Sequence, residues 1–169
     1  MVLILTINQP LLNSLDELIN LQSLTFDYKF NQPLLNSLDK LVNLLSLSFG
    51  GNFNQPLNNL PINLTHLTLG AQYEYEIPVN IKSLELIRNI KHIDYLTNNI
   101  VELKLYNDFK FDLVNLPSSI KKLTLNCKYI NLVILPNNIE YLKIYKDQLI
   151  NIKNISQSQN QNLIIEYFD

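Results

Sequence analysis

The chain has 169 residues, with 13 Lys and Arg against 15 Asp and Glu and a net charge of −2. That length suits one domain with a sizeable core, and the charge excludes a general nucleic-acid binder, which needs surplus cations to release phosphate counterions. The single cysteine, Cys127, allows no intrachain disulfide, and no run approaches the ~20 apolar residues of a membrane-spanning helix.

The chain opens on an apolar stretch, residues 1–6, that lacks a basic flank and runs straight into a repeat, so it does not read as a signal peptide. From there one pattern, apolar-x-x-apolar-x-apolar, recurs. It appears at Leu21, Leu24 and Phe26, then at Leu44, Leu47 and Phe49, then at Leu64, Leu67 and Leu69. It continues at Ile81, Leu84 and Leu86, at Ile100, Leu103 and Leu105, at Ile120, Leu123 and Leu125, and at Ile139, Leu142 and Ile144. The central leucines follow one another at intervals of 17 to 23 residues, and Leu163-Ile164-Ile165 supplies one further strand, with Leu163 in the central place 21 residues after Leu142. Such a period belongs to a solenoid and not to a helical bundle.

Other positions keep the same register. Six residues after the central leucine stand Phe30, Phe53, Tyr73, Ile90, Phe109 and Tyr129, which the register assigns to the core, and ten after stand Leu34, Leu57, Ile77, Leu113, Val133 and Ile152. A corner precedes most strands, reading LPIN, IPVN, LTNN, LPSS and LPNN, in which an apolar residue points inward and Pro or Asn turns the chain. Alternate residues of each short strand face opposite ways, and one coil cannot cover its own apolar side. Stacked coils therefore share a core, with parallel strands about 4.8 Å apart. The expected fold is a right-handed α/β repeat solenoid: short parallel strands on one face, and short helices, 3₁₀ turns and loops on the convex side. It forms one domain over residues 1–169, with about seven or eight coils, a partial first coil at 1–20, and a polar loop plus terminal strand at 156–169. In the longer first coils Ser14 followed by Glu17 fits a capping box and predicts a short convex helix.

The decapeptide INQPLLNSLD at Ile7 returns as FNQPLLNSLD at Phe30 and as FNQPLNNLPI at Phe53. Phe53-Asn54-Gln55-Pro56-Leu57, followed by LPINLTHLTLG from Leu60 to Gly70, closely resembles the FNIP repeat, a leucine-rich-repeat-like family expanded in amoebae and in giant viruses of amoebae. The resemblance covers residues 7–70 in full; beyond, the corner and strand parts persist while FNQP becomes YEYE and FKFD. It implies a non-enzymatic interaction surface without a cofactor. No F-box precedes residue 7, so a ubiquitin-ligase role does not carry over, and the family has no catalytic residues to transfer. An intracellular, cytoplasmic setting is expected, or host cytoplasm or virion for a viral chain.

The residues themselves agree. His66 and His92 stand in no triad spacing, Cys127 has no base beside it in sequence, and no HExxH, CxxC or GxxxxGK pattern occurs. The open strand face is more informative. Its three columns run Ser23, Ser46, His66, Ser83, Glu102, Lys122, Tyr141, then Thr25, Ser48, Thr68, Glu85, Lys104, Thr124, Lys143, then Asp27, Gly50, Gly70, Ile87, Tyr106, Asn126, Tyr145. Cross-strand pairing of Glu85 with Lys104 and of Glu102 with Lys122 accounts for much of the charge. Lys104, Tyr106, Tyr141, Lys143 and Tyr145 form the candidate contact patch for a protein partner, tyrosine being frequent at binding hot spots. The alternative is a structural or self-associating component, such as a virion protein. Neither end reads as a polar cap, which makes Ile164 and Phe168 the candidates for homodimer formation through a terminal coil.

Overall fold

The computed structural model describes residues 1–88, 93, 96–106, 112–155 and 163–169. Nine parallel strands form one sheet: β1 (Val2–Leu5), β2 (Ser23–Phe26), β3 (Ser46–Ser48), β4 (His66–Leu69), β5 (Ser83–Ile87), β6 (Glu102–Tyr106), β7 (Lys122–Asn126), β9 (Tyr141–Tyr145) and β11 (Ile164–Phe168). Each strand pairs with the next coil's strand, and the central leucines are in register from Leu24 through Leu47, Leu67, Leu84, Leu103 and Leu123 to Leu142. Two short convex strands, β8 (Val133–Ile134) and β10 (Ile152–Lys153), form a second parallel sheet that Leu113 extends by one bridge. This is the expected parallel solenoid, with nine sheet strands where the pattern gave seven or eight.

The core is a set of columns along the stack. The residues opening each repeat, from Leu21 to Ile139, are completely buried, as are both inward residues of nearly every strand. In the early coils the inward aromatics stack face to face: Phe26 on Phe49 at 5.1 Å, Phe30 on Phe53 at 6.1 Å, Phe53 on Tyr73 at 6.1 Å. Tyr73 substitutes for Phe in that column, and its hydroxyl donates to the Glu76 carbonyl at 2.9 Å. Leu34, Leu57, Ile77, Leu113, Val133 and Ile152, each ten residues after a central leucine, are all buried.

The repeated asparagines form two ladders between coils. Asn8 Oδ1 accepts the Asn31 N–H at 3.0 Å, Asn31 Oδ1 accepts the Asn54 N–H at 2.9 Å, and Asn54 Oδ1 accepts the Glu74 N–H at 3.1 Å. Gln32 and Gln55 donate to the same Asn8 and Asn31 oxygens. At the strand-entry corner, Asn43 Nδ2 donates to the Ile19 carbonyl, Asn63 to Val42 and Asn80 to Leu64, and Ser119 takes the same role toward Ile100. A backbone forced round a tight coil leaves N–H and C=O groups that ordinary ladders cannot reach; each asparagine satisfies the neighbouring coil's. The motif repeats because each copy is bonded to the copy before it.

Three expectations need correction. The convex segment from Ser14 to Glu17 is not a helix. Residues 12–17 and 35–40 are successive turns closed by three-residue bonds, such as Ser14 N–H to Leu11 O at 3.0 Å and Ser37 N–H to Leu34 O at 2.9 Å. Leu12 and Leu35 hold left-handed backbone (φ 49° each) two residues ahead of Ser14 and Ser37, so no helix enters the segment from upstream. An α-helix is also about 10 Å across, twice the strand spacing of about 4.8 Å, so helices would splay the convex side. A 3₁₀ helix does form in a later coil, at Lys146–Asn151. Second, Tyr129 is exposed, and Cys127 and Ile130 fill the inward places instead. Third, the partner of Leu142 in β11 is Ile165, not Leu163, so Ile165 and Tyr167 fall in the inward columns. Ile90, His92, Phe109 and the loop at 156–162 lie outside the described residues.

Candidate interaction surface on the open sheet face

The sheet register turns the three columns into a map. The face of β2 to β4 carries Ser, Thr, Asp, Gly and His66, whose Nδ1 lies 2.9 Å from the Thr65 hydroxyl. Gly70 is required here by packing: a Cβ would run into the Gly50 carbonyl of the neighbouring coil. Large side chains begin at β5.

All five predicted patch residues come together over β6, β7 and β9. Thr124 stands at their centre, between Lys104 and Lys143 on its two neighbouring strands. Because Thr124 is short and its surroundings are long, Lys104, Tyr106, Tyr141 and Lys143 enclose a shallow cavity of about 360 Å³, lined also by Glu102, Lys122 and Phe168, while Tyr145 stands beside it. The Tyr145 hydroxyl donates to Asn126 Oδ1 at 3.1 Å, and the Tyr141 hydroxyl donates to Glu166 at 2.8 Å. Lys143 lies 3.6 Å from Glu166 and 5.0 Å from the centre of the Phe168 ring, a cation–π contact. Phe168 also packs on Tyr145 at 5.0 Å between ring centres. Thus Phe168, Ile164 and Glu166 extend the open face, beside Tyr145, Tyr141 and Lys143 respectively.

The charges are arranged rather than simply paired across strands. Glu85 and Lys104 are register partners, as are Glu102 and Lys122, but the ion pair that forms is Lys104 with Glu102 of the same strand, at 3.4 Å. Burial pushes the Glu85 carboxyl up, and neighbouring Glu102 adds to this against the pull of Lys104. Burial would also raise Glu102, but the Ser83 hydroxyl bond at 2.7 Å and Lys104 together hold it below the usual carboxylate range. The Tyr106 phenol is raised by burial and by Glu85, and Tyr141 by burial and its bond to Glu166. Among the described residues, the Lys122 ammonium and the Tyr106 hydroxyl have no ion-pair or hydrogen-bond partner, so both are free to meet a ligand. The sequence columns contained Lys122 and Thr124, but only their neighbours' size makes them part of a cavity. The signal that could have found Phe168 was the correct register of β11, which sets it beside Tyr145.

Elsewhere the described residues offer little chemistry. Cys127 is buried, with its thiol 3.4 Å from the Leu105 carbonyl. No three His, Cys, Asp or Glu side chains converge as metal ligands, and no helix is long and apolar enough to cross a membrane, among the described residues.

The family model of the FNIP repeat matches residues 42–72. A solved structure described as CroV588, a novel circular LRR protein, superimposes with a TM-score of 0.55 at 27% identity over 88% of this chain. The chain spans 27% of that protein's length. No curated protein matches. The parallel coils, the asparagine ladders and these two likenesses make the chain a leucine-rich-repeat-like solenoid carrying an FNIP repeat at residues 42–72.

Proposed function

We propose that the protein is a non-enzymatic interaction module that holds a protein partner on the open face of β6 to β11. One observation carries this: Lys104, Tyr106, Tyr141 and Lys143, spread over 40 residues of sequence, gather with Phe168 around a cavity above Thr124, and Tyr145 packs on Phe168 beside it. Solenoids of this kind commonly use such extended sheet surfaces for binding, and half-buried tyrosines bring large contact area at low entropic cost. A triple Tyr106→Ala, Tyr141→Ala, Tyr145→Ala variant should keep its circular dichroism and melting curve yet lose a partner that the wild type retains in affinity capture. Undiminished capture by the folded variant would remove the site from this face. The buried thiol of Cys127, the one cysteine of the chain, fits a reducing, intracellular setting.

A second reading, self-association through a terminal coil, draws on β11. Within this chain it pairs on one side only, and Ile164 is exposed. The similar solved protein is described as circular, which supports a reading in which coils of this type meet end to end. Light scattering across a concentration series tests it, with Ile164→Lys and Phe168→Lys as paired substitutions. Ile164→Lys alone separates the two readings, since Phe168 also lines the cavity. A wild type that stays monomeric at high micromolar concentration would end this reading.

A further inference from the structure

The position two residues before the first apolar residue of each repeat follows a rule that the core does not need. It is Ile19, Val42, Ile62 and Val79 in the first four corners, then Asn98, Ser118 and Asn137 in the last three. All four apolar members are more than half exposed, Ile62 at 84%. The corner bonds from Asn43 to the Ile19 carbonyl and from Asn63 to the Val42 carbonyl hold the first three in consecutive coils, and Asn80 ties the fourth to Leu64. Four β-branched side chains therefore stand in a row on the outside of the solenoid, away from the open sheet face. Later coils build the same corner with Asn or Ser, so the apolar choice is not imposed by the turn.

The ground around the row is acidic. One groove, of about 410 Å³, lies between Val42 and Ile62 and is edged by Asp39; a second, of about 510 Å³, lies beside Val79 and is edged by Glu74 and Glu76. Among the described residues neither groove contains a lysine or arginine. An apolar row flanked by carboxylates is complementary to an apolar stripe flanked by cations.

The spacing selects the shape of that partner. Successive coils rise by about 4.8 Å, so the four side chains span about 14 Å. Apolar residues on one face of an α-helix recur about every 5.4 Å, giving ~16 Å over three steps. Alternate residues of a strand recur about every 6.7 Å, giving ~20 Å, which loses register before the fourth coil. We propose that this corner stripe is a docking site for a basic amphipathic helix of about three turns, which sets one aliphatic side chain against each coil and its lysines or arginines against Asp39, Glu74 and Glu76. The site is independent of the open sheet face.

The test uses the whole chain and a fluorescein-labelled peptide of about 15 residues, with leucines at i, i+4, i+7 and i+11 and lysine or alanine elsewhere. Two control peptides have the same composition with scrambled leucine positions, or glutamate for each lysine. The protein variant is Val42→Asn with Ile62→Ser, which installs residues that the later corners already use. The helical basic peptide should saturate the wild type in fluorescence anisotropy. The controls and the variant should each bind about tenfold more weakly or worse, with the variant's circular dichroism unchanged. Equal binding of the scrambled peptide, equal binding by the folded variant, or no binding of the helical peptide would overturn the proposal. So would wild-type dimers, seen without peptide, that the double substitution dissolves; these would give the stripe to a second copy of the chain.

Discussion

Asn31 provides the sharpest test of how the coils are held together. Its side-chain oxygen accepts two bonds from the following coil, from the Asn54 N–H at 2.9 Å and from Gln55 Nε2 at 3.2 Å. Both donors are part-buried, so water cannot fully replace the lost acceptor. Asn31→Ala leaves the Asn54 N–H unpaired, which costs about 1–3 kcal/mol for a buried group and toward the lower half of that range here. With a urea dependence of about 1–3 kcal/mol per molar for a domain of this size, the unfolding midpoint should fall by roughly 0.5–1 M. Asn8→Ala removes the equivalent acceptor at an exposed position and should cost less. Asn31→Asp keeps an oxygen in the same place, and should recover most of the loss near neutral pH. Urea unfolding followed by circular dichroism reads all three. An aspartate as damaging as the alanine would mean that the asparagine acts through packing, and the ladder argument would fail.

Leu103 is fully buried between Leu84 and Leu123, so Leu103→Ala should cost about 2–5 kcal/mol, while Lys104→Ala, losing only a half-exposed ion pair, should cost about 1 kcal/mol or less; equal losses in the same unfolding assay would contradict the strand phase. The Glu102 carboxyl is lowered on folding, so it stabilises above its unfolded pKa and that contribution is lost as pH falls through the folded value; Glu102→Gln should therefore lower the melting temperature at pH 7 and much less near pH 3. Glu85 is raised, so its penalty appears as pH rises through the folded value, and Glu85→Gln should be neutral or stabilising at pH 7; the opposite order of these two variants would refute the charge arrangement. Leu35 is exposed and left-handed (φ 49°), a backbone that asparagine tolerates better, so Leu35→Asn should stabilise by up to about 1 kcal/mol, and a destabilised variant would show that the exposed leucine has a packing partner.

The strands were legible because nearly every one alternates inward and outward residues without a break, and a register error of one residue would have turned charged side chains into the core. Where that alternation lapses, the reading slips. Leu163-Ile164-Ile165 is apolar without interruption, so the sequence offers no register for β11; a two-residue shift keeps Leu163 and Ile165 on the same face and changes only which of them meets Leu142. Tyr129 fits either environment by chemistry, and only the packed coil shows that Cys127 and Ile130 occupy the inward places. The capping-box signal at Ser14 and Glu17 is local, whereas thin convex turns are set by the stacking distance of the whole solenoid. The candidate patch was legible as residue types in three columns. Its cavity was not, because it depends on one small residue, Thr124, lying between long side chains two strands apart.

Three columns change character near the same place along the stack. The FNQP asparagine ladder ends at Glu74, the apolar corner ends at Val79, and the open face passes from small hydroxyls to Glu85, Lys104 and Tyr106. Early coils thus have a uniform, tightly bonded rim with an apolar outer corner, and later coils have a varied sheet face with a polar corner. In a solenoid each coil touches only its neighbours, so stability and binding in one half are felt weakly in the other. The corner stripe and the tyrosine cavity should therefore behave as separate sites. The triple tyrosine variant should bind the helical basic peptide as the wild type does, and the Val42→Asn, Ile62→Ser variant should keep whatever partner the open face holds. A folded variant at one site that abolished binding at the other would show that the two surfaces form one continuous interface, with a single partner wrapping from corner to sheet.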